Sequence, residues 1–181
     1  MQKFESPDSF TVRAPVGDDA WRWDSFIIRE QARTYAGMVP EDFAQRALER
    51  ASADSEGRRR AFDEPGTTVR LIAESAGELV GAVEVSDGPA DWEVSLGFGE
   101  VPAARELSRL YLARDAHGSG LASSLMAQAL GDADAYLWLI DGIERAQRFY
   151  RRHGFVDHGP SVSTGPSWGG IPMHRMARLS A

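Results

Sequence analysis

The chain has 181 residues, enough for one domain with one substantial core, and its 43% hydrophobic and 26% charged residues are an ordinary globular composition. Twenty basic against 27 acidic residues leave a formal charge of −7, which argues against a nucleic-acid-binding or anionic-membrane surface. There is no cysteine, which excludes a disulfide frame, a thiol nucleophile and a thiolate metal site.

The opening residues, MQKFESPDSF, lack the basic start and apolar run of a secretory signal, and nowhere do eighteen apolar residues follow one another. A soluble cytoplasmic protein, a single domain over residues 1–181, is expected. Residues 9–13 (SFTVR) predict a first strand. Pro15 and Gly17-Asp18-Asp19 break it and supply cap chemistry for a helix to about Ala36, with Trp21, Phe26 and Ile27 facing inward. A second helix is predicted from Pro40-Glu41-Asp42, where proline suits the first turn and acids suit the positive dipole end. The charged residues 52–60 predict a surface helix end or loop. Residues 67–74 and 79–86, around Ser75-Ala76-Gly77-Glu78, predict a β-hairpin. Residues 87–104, broken by Gly88-Pro89, Gly97, Gly99 and Pro102, predict a long loop with Trp92 and Phe98 as apolar anchors.

Residues 107–131 (LSRLYLARDAHGSGLASSLMAQALG) carry the strongest local pattern. Leu107, Leu110, Tyr111 and Leu112 predict a strand; Leu121, Leu125 and Ala129 predict a helix that Gly131 closes. Between them, His117-Gly118-Ser119-Gly120 has two residues without a Cβ, which lets the backbone approach a ligand and turn several N–H groups toward one point. A helix N-terminus beside such a turn suits a phosphate, though the same glycines also serve turn geometry alone. The nucleotide loops GxxxxGK and GxGxxG do not fit: no Lys-Ser/Thr pair follows, and Ser123 stands where a third glycine is wanted.

Residues 135–140 (AYLWLI) predict a buried strand, and Asp141 with Glu144 three residues on predicts a capping box for a helix ending at Gly154. Phe155-Val156 starts another strand, a Gly/Pro/Ser-rich loop fills residues 159–170, and residues 172–178 give the last strand. His153 and His158 lie across a helix end without a carboxylate in a recognised motif, so no metal is expected. The order of elements predicts a mixed α/β sheet with an anion-binding turn in its middle.

Three separated stretches are together similar to the GCN5-related N-acetyltransferase (GNAT) family. His117-Gly118-Ser119-Gly120-Leu121-Ala122 resembles the family's Q/R-x-x-G-x-G/A acetyl-CoA loop. Residues 144–155 (ERAQRFYRRHGF) resemble its A-x-x-F-Y-x-x-x-G-F block, and Tyr35-Ala36-Gly37-Met38-Val39-Pro40 resembles the Y-x-G-x-x-P turn joining its first two helices. The chain departs from the pattern twice: His117 stands for the usual Arg or Gln, and Ile143 for a usual Asn.

The resemblance implies a mixed, mostly antiparallel central sheet flanked by helices, with a splayed central strand followed by the phosphate-binding loop and helix. It implies acetyl-CoA as cosubstrate, held by Leu110, Tyr111 and Leu112 of the splayed strand, by His117, Gly118, Ser119, Gly120, Leu121 and Ala122, and by Ala146 and Phe149. Tyr150 matches the acid that protonates the leaving thiolate, and Glu106 the carboxylate that takes the amine's proton. Trp21, Tyr35, Trp92 and Trp168 border the implied acceptor pocket, with Asp42, Asp91 and Glu93 near it to suit a cationic substrate. With no cysteine to carry the acetyl group, direct transfer to a small-molecule amine in a ternary complex is expected. A protein or peptide acceptor and a non-catalytic acyl-CoA sensor are the alternatives. A homodimer is common in the family.

Overall fold

The structure is a computed structural model and describes residues 10–180. Its sheet grows outward from a hairpin of β2 (Val69–Ser75) and β3 (Glu78–Asp87). The two turn residues, Ala76 and Gly77, have φ of 50° and 81°, the positive values that let right-twisted strands reverse in two residues. On one side β1 (Thr11–Arg13) adds to β2; on the other, β4 (Arg105–Leu112), β5 (Ala135–Ile140), β7 (Pro172–Arg178) and β6 (Val156–Ser163) follow. The seven strands thus lie in the order β1-β2-β3-β4-β5-β7-β6. Every neighbouring pair is antiparallel except β4 and β5.

Helices cover both faces. α1 (Ala20–Thr34) and α3 (Ser55–Asp63) pack Trp23, Phe26, Ile27 and Phe62 onto Ile72, Leu79 and Ala82. α2 (Phe43–Ala53) lies against α1. On the opposite face α5 (Leu121–Leu130) buries Leu121, Leu125 and Met126 against Val83, Val85, Leu107 and Leu137. α6 (Glu144–Arg152) adds Ala146, Phe149 and Tyr150 to the edge of that core. Among the described residues no helix is long and apolar enough to cross a membrane.

Several local expectations are corrected. The predicted first strand is shorter, and Ser9 lies outside the described residues. The charged stretch forms α3, because Phe62 on its inner side docks edge-on against Trp23, ring centres 5.5 Å apart, and Arg58 reaches Asp24. The long loop contains α4 (Asp91–Ser95), which Glu93 anchors by accepting from the Ala90 N–H at 2.8 Å. The capping box at α6 does not form. Ile143 occupies the N-cap, and Asp141 instead accepts from Ser161 Oγ and His174 Nδ1 at 2.6 and 2.5 Å. Half of the late Gly/Pro/Ser-rich loop is strand: β6 runs through a register shift between His158 and Val162 and stays paired with β7. Trp21 does not face inward but is 52% exposed.

Two features of β4 set up the site. Glu84 pairs with Arg109 and Val85 with Leu107, so Ser108 is the extra residue of a β-bulge. On its other edge β4 pairs with β5 only at Arg105–Ala135 and Glu106–Tyr136. Beyond that point β4 follows β3 while β5 follows β7, and the two strands diverge.

Candidate active site

The diverging strands open a cavity of about 790 Å³ that passes through the sheet. Its walls are β4 from Leu107 to Leu112, Trp138 and Leu139 of β5, Ile143 with Ala146, Phe149 and Tyr150 around α6, the turn into α5, and Tyr35 at the end of α1. Because β4 has no strand partner on this edge beyond Glu106, its peptide groups are exposed to whatever enters the split.

The turn from β4 to α5 has a geometry that suits an anion. A single 3-10 turn, Arg114–Ala116, is followed by Gly118 and Gly120 at φ of 82° and 86°, a region costly to residues with a Cβ. Ser119 Oγ donates to the Ala116 carbonyl at 2.7 Å and accepts from the Leu121 N–H at 3.3 Å, which locks the turn from behind. Gly120 is the N-cap of α5, so the helix presents its first N–H groups and its positive dipole end to the cavity.

Charge reinforces this. In a chain of net charge −7, Arg33, Arg109, Arg114, Arg145 and Arg152 line the cavity, and among the described residues no carboxylate does. His117 is tied into the set. Arg145 donates to its Nδ1 at 2.6 Å, and since arginine can only donate, that nitrogen is an acceptor. Burial first, then Arg145 and Arg33, hold the imidazole below its ordinary value, so the ring is neutral at pH 7. Arg145, on α6, thus sets a guanidinium beside the first position of the loop.

On the opposite face the cavity ends against aromatic rings. The Tyr35 and Tyr111 hydroxyls lie 3.4 Å apart, and Gln31 Nε2 approaches Tyr111 at 3.4 Å. Burial raises the phenols of both Tyr35 and Tyr150, which keeps them protonated at neutral pH. Glu106 does not line the cavity; it is buried at the closed end of the split, opposite Tyr136. Its carboxyl is pushed up to about 7, chiefly by burial and then by the charge of Glu93. Ser108, two residues further along β4, lines the cavity, and its hydroxyl lies 2.6 Å from Ser86 Oγ and 3.4 Å from the main-chain carbonyl of Glu106.

Of the residues singled out from sequence, Tyr35, Leu110, Tyr111, Leu112, His117, Gly118, Gly120, Leu121, Ala122, Ala146, Phe149 and Tyr150 meet on one cavity wall. Ser119 stands just behind it. Trp92 and Trp168 are set back one ring, Trp92 against Trp138 at 5.6 Å and Trp168 against Tyr35 at 5.4 Å, and Trp21 is not on the wall. Glu93 is fully buried, so it is no docking charge; its oxygens accept from Tyr136, Trp138, Arg175 and the Ala90 N–H. Asp42 is ion-paired with Arg46. Sequence reasoning missed Ser108, Trp138, Arg33, Arg114, Arg145 and Arg152. Only Arg145 had a sequence signal, its place in the first turn of the helix that carries Tyr150.

A family model described as "acetyltransferase (GNAT) domain" matches residues 31–179. The chain belongs to the GNAT acetyltransferase family. No curated protein matches it in sequence. Among solved structures, the PaiA N-acetyltransferase of Thermoplasma acidophilum, in complex with coenzyme A, shares this GNAT fold at a TM-score of 0.67 and 18% identity, over 95% of this chain and 99% of that one. Ard1 from Thermoplasma volcanium aligns at 0.57 and 16% identity, over 96% of this chain and 99% of that one. A spermidine N-acetyltransferase chimera of Vibrio cholerae SpeG and hSSAT aligns at 0.57 and 19% identity, over 94% of this chain and 95% of that one. The mixed, mostly antiparallel sheet with its splayed central strand is the GNAT fold expected from the sequence.

Proposed function

We propose that the protein is an acetyl-CoA-dependent N-acetyltransferase that transfers the acetyl group directly to the amine of a small molecule. The observation that carries this reading is the cavity itself. One cavity, lined by five arginines and, among the described residues, by no acid, reaches from the glycine turn before α5 to Tyr35 at the end of α1 on the other face of the sheet. Cosubstrate and acceptor can therefore meet at the split from opposite faces of the sheet, as a ternary complex requires.

Each end has a task. The N–H groups of residues 117–122 and the N-terminus of α5 hold the pyrophosphate. The free edge of β4 at Leu110, Tyr111 and Leu112 hydrogen-bonds the pantetheine amides, and Ala146 and Phe149 pack beside it. The acetyl thioester supplies the acyl group. The amine nitrogen attacks its carbonyl carbon, an N–C bond forms and the C–S bond breaks. Tyr150, kept protonated by burial, donates to the departing thiolate. The amine's proton passes through the Ser108 hydroxyl to Glu106, whose value of about 7 suits a base working at neutral pH.

The deciding experiment is calorimetric titration with acetyl-CoA of the parent and of Gly120→Glu. At φ of 86° a side chain strains the N-cap and places a carboxylate in the cradle. The parent should bind and the variant should weaken binding by about a hundredfold or more, of the order of one lost charge-assisted phosphate contact plus strain. Equal affinities would remove the cradle from the mechanism.

A further inference from the structure

We infer that the acceptor is a primary amine on an apolar or aromatic skeleton, and that polyamines and other multiply charged cations are excluded. This rests on the acetyltransferase reading above and adds the chemistry of the cavity's end at Tyr35. There the cavity wall is Tyr35, Tyr111, Trp138 and Ile143, which also belong to one apolar cluster with Ile140 and Met173. A second ring of aromatics fixes that wall from outside. Phe98 and Trp92 pack on Trp138 at 5.4 and 5.6 Å, and Trp168 on Tyr35 at 5.4 Å.

The buried carboxylates on this side of the sheet are already paired. Glu93 is enclosed by four donors, Glu84 is held between Arg70 and Arg109, and Glu30 between Arg29 and Arg33. Among the described residues no carboxylate lines the wall, so a second ammonium there would find no counter-ion and would face Arg109 and Arg33. Cation–π binding is also blunted, because the Arg175 guanidinium already lies 4.5 Å from the Trp138 ring centre. For the reacting amine the same positive surroundings help. They favour the neutral form, which is the nucleophile. An ammonium that must stay protonated meets only repulsion.

A matched pair tests this on the unmodified protein, with acetyl-CoA as donor and free thiol release as readout: hexylamine against 1,6-diaminohexane. The monoamine should have at least a tenfold higher kcat/KM. Across butylamine, pentylamine and hexylamine, kcat/KM should rise about fourfold per methylene, the equivalent of about 0.8 kcal/mol for each buried CH₂. In Trp138→Ala, and in Tyr35→Ala should the first variant not fold, that chain-length dependence should flatten while acetyl-CoA affinity changes less than about twofold. Equal or better use of the diamine, or no dependence on chain length in the parent, overturns the inference. Acetyl-CoA binding with no turnover of any of these amines also overturns it and leaves the cradle standing; loss of acetyl-CoA binding as well would overturn the acetyltransferase reading itself.

Discussion

The two mouths of the cavity are built on opposite principles. The mouth beside α5 and α6 is made of backbone: two left-handed glycines, a helix N-terminus and the unpaired edge of β4, with arginines around the rim. The mouth beside α1 is made of side chains from α1, β4, β5 and the residue before α6, and it is aromatic. Backbone donors suit a ligand part that never changes, such as a pyrophosphate. Side chains can be exchanged one at a time without unmaking the fold, so selection for an acceptor acts there.

The largest effect is expected at the junction, where the proposed reaction draws on both ends of the cavity. Tyr150→Phe removes a hydroxyl from a residue of the cavity wall but keeps the ring that packs against Phe149 and Phe155. kcat should fall about 10²- to 10³-fold, the usual worth of a positioned acid, with acetyl-CoA affinity and melting temperature nearly unchanged. Parental turnover would remove Tyr150 from the chemistry.

Glu106→Gln should lower kcat/KM about 10²-fold and erase the rise of the parental rate with pH around 7. An inflection that persists in the variant would place the base elsewhere. Stability should move the other way. The folded state holds this carboxyl near 7 against an ordinary 4.5, so it binds the proton more tightly than the unfolded chain. The parent therefore loses stability as pH rises from 4.5 through 7, by at most roughly 3 to 4 kcal/mol at roughly 1.4 kcal/mol per unit. Glutamine has no proton to lose. Denaturant midpoints should be equal near pH 4 and should favour Glu106→Gln at pH 8.

Arg145→Ala sharpens the comparison on the cradle side. It removes one rim charge and frees His117 Nδ1, leaving the glycine turn and the N–H groups in place. The dissociation constant for acetyl-CoA should rise about tenfold, of the order of one charge-assisted contact, while that of an acetylated pantetheine lacking phosphates should not change. Titrations at low and high salt check it, because only the charge contribution is screened.

Much of the cradle was legible in the sequence because its requirements are local. Gly118 and Gly120 sit where positive φ is needed, and Leu121, Leu125 and Gly131 mark the helix that follows, all within one short stretch. The aromatic end proposed for the acceptor was not legible, because its residues meet only through topology. Trp138 read as the buried strand AYLWLI, and nothing in that run says that its face opens where β4 and β5 part. Glu93 read as a free acid near the acceptor, but in space it is the buried centre of a cap and three side-chain bonds. The capping box at Asp141 failed for the same reason. Two distant strands supplied Ser161 and His174, and these outcompeted the helix for its carboxylate.

The smallest expected effect comes from two exposed tryptophans that sequence alone could not rank. Trp92 is 39% exposed yet covers the outer side of Trp138, while Trp21 is 52% exposed and touches neither mouth. An aromatic pair of this kind contributes about 0.5–1.5 kcal/mol, and only part of that passes through to a ligand on the far side of the ring. Trp92→Ala should therefore raise KM for the preferred amine by about threefold, with no change in KM for acetyl-CoA. Trp21→Ala should leave both constants at their parental values. Steady-state kinetics with both substrates varied reads the two variants together. If Trp21→Ala matched Trp92→Ala, the amine mouth would extend over the start of α1, and the aromatic wall around Trp138 would be only part of it.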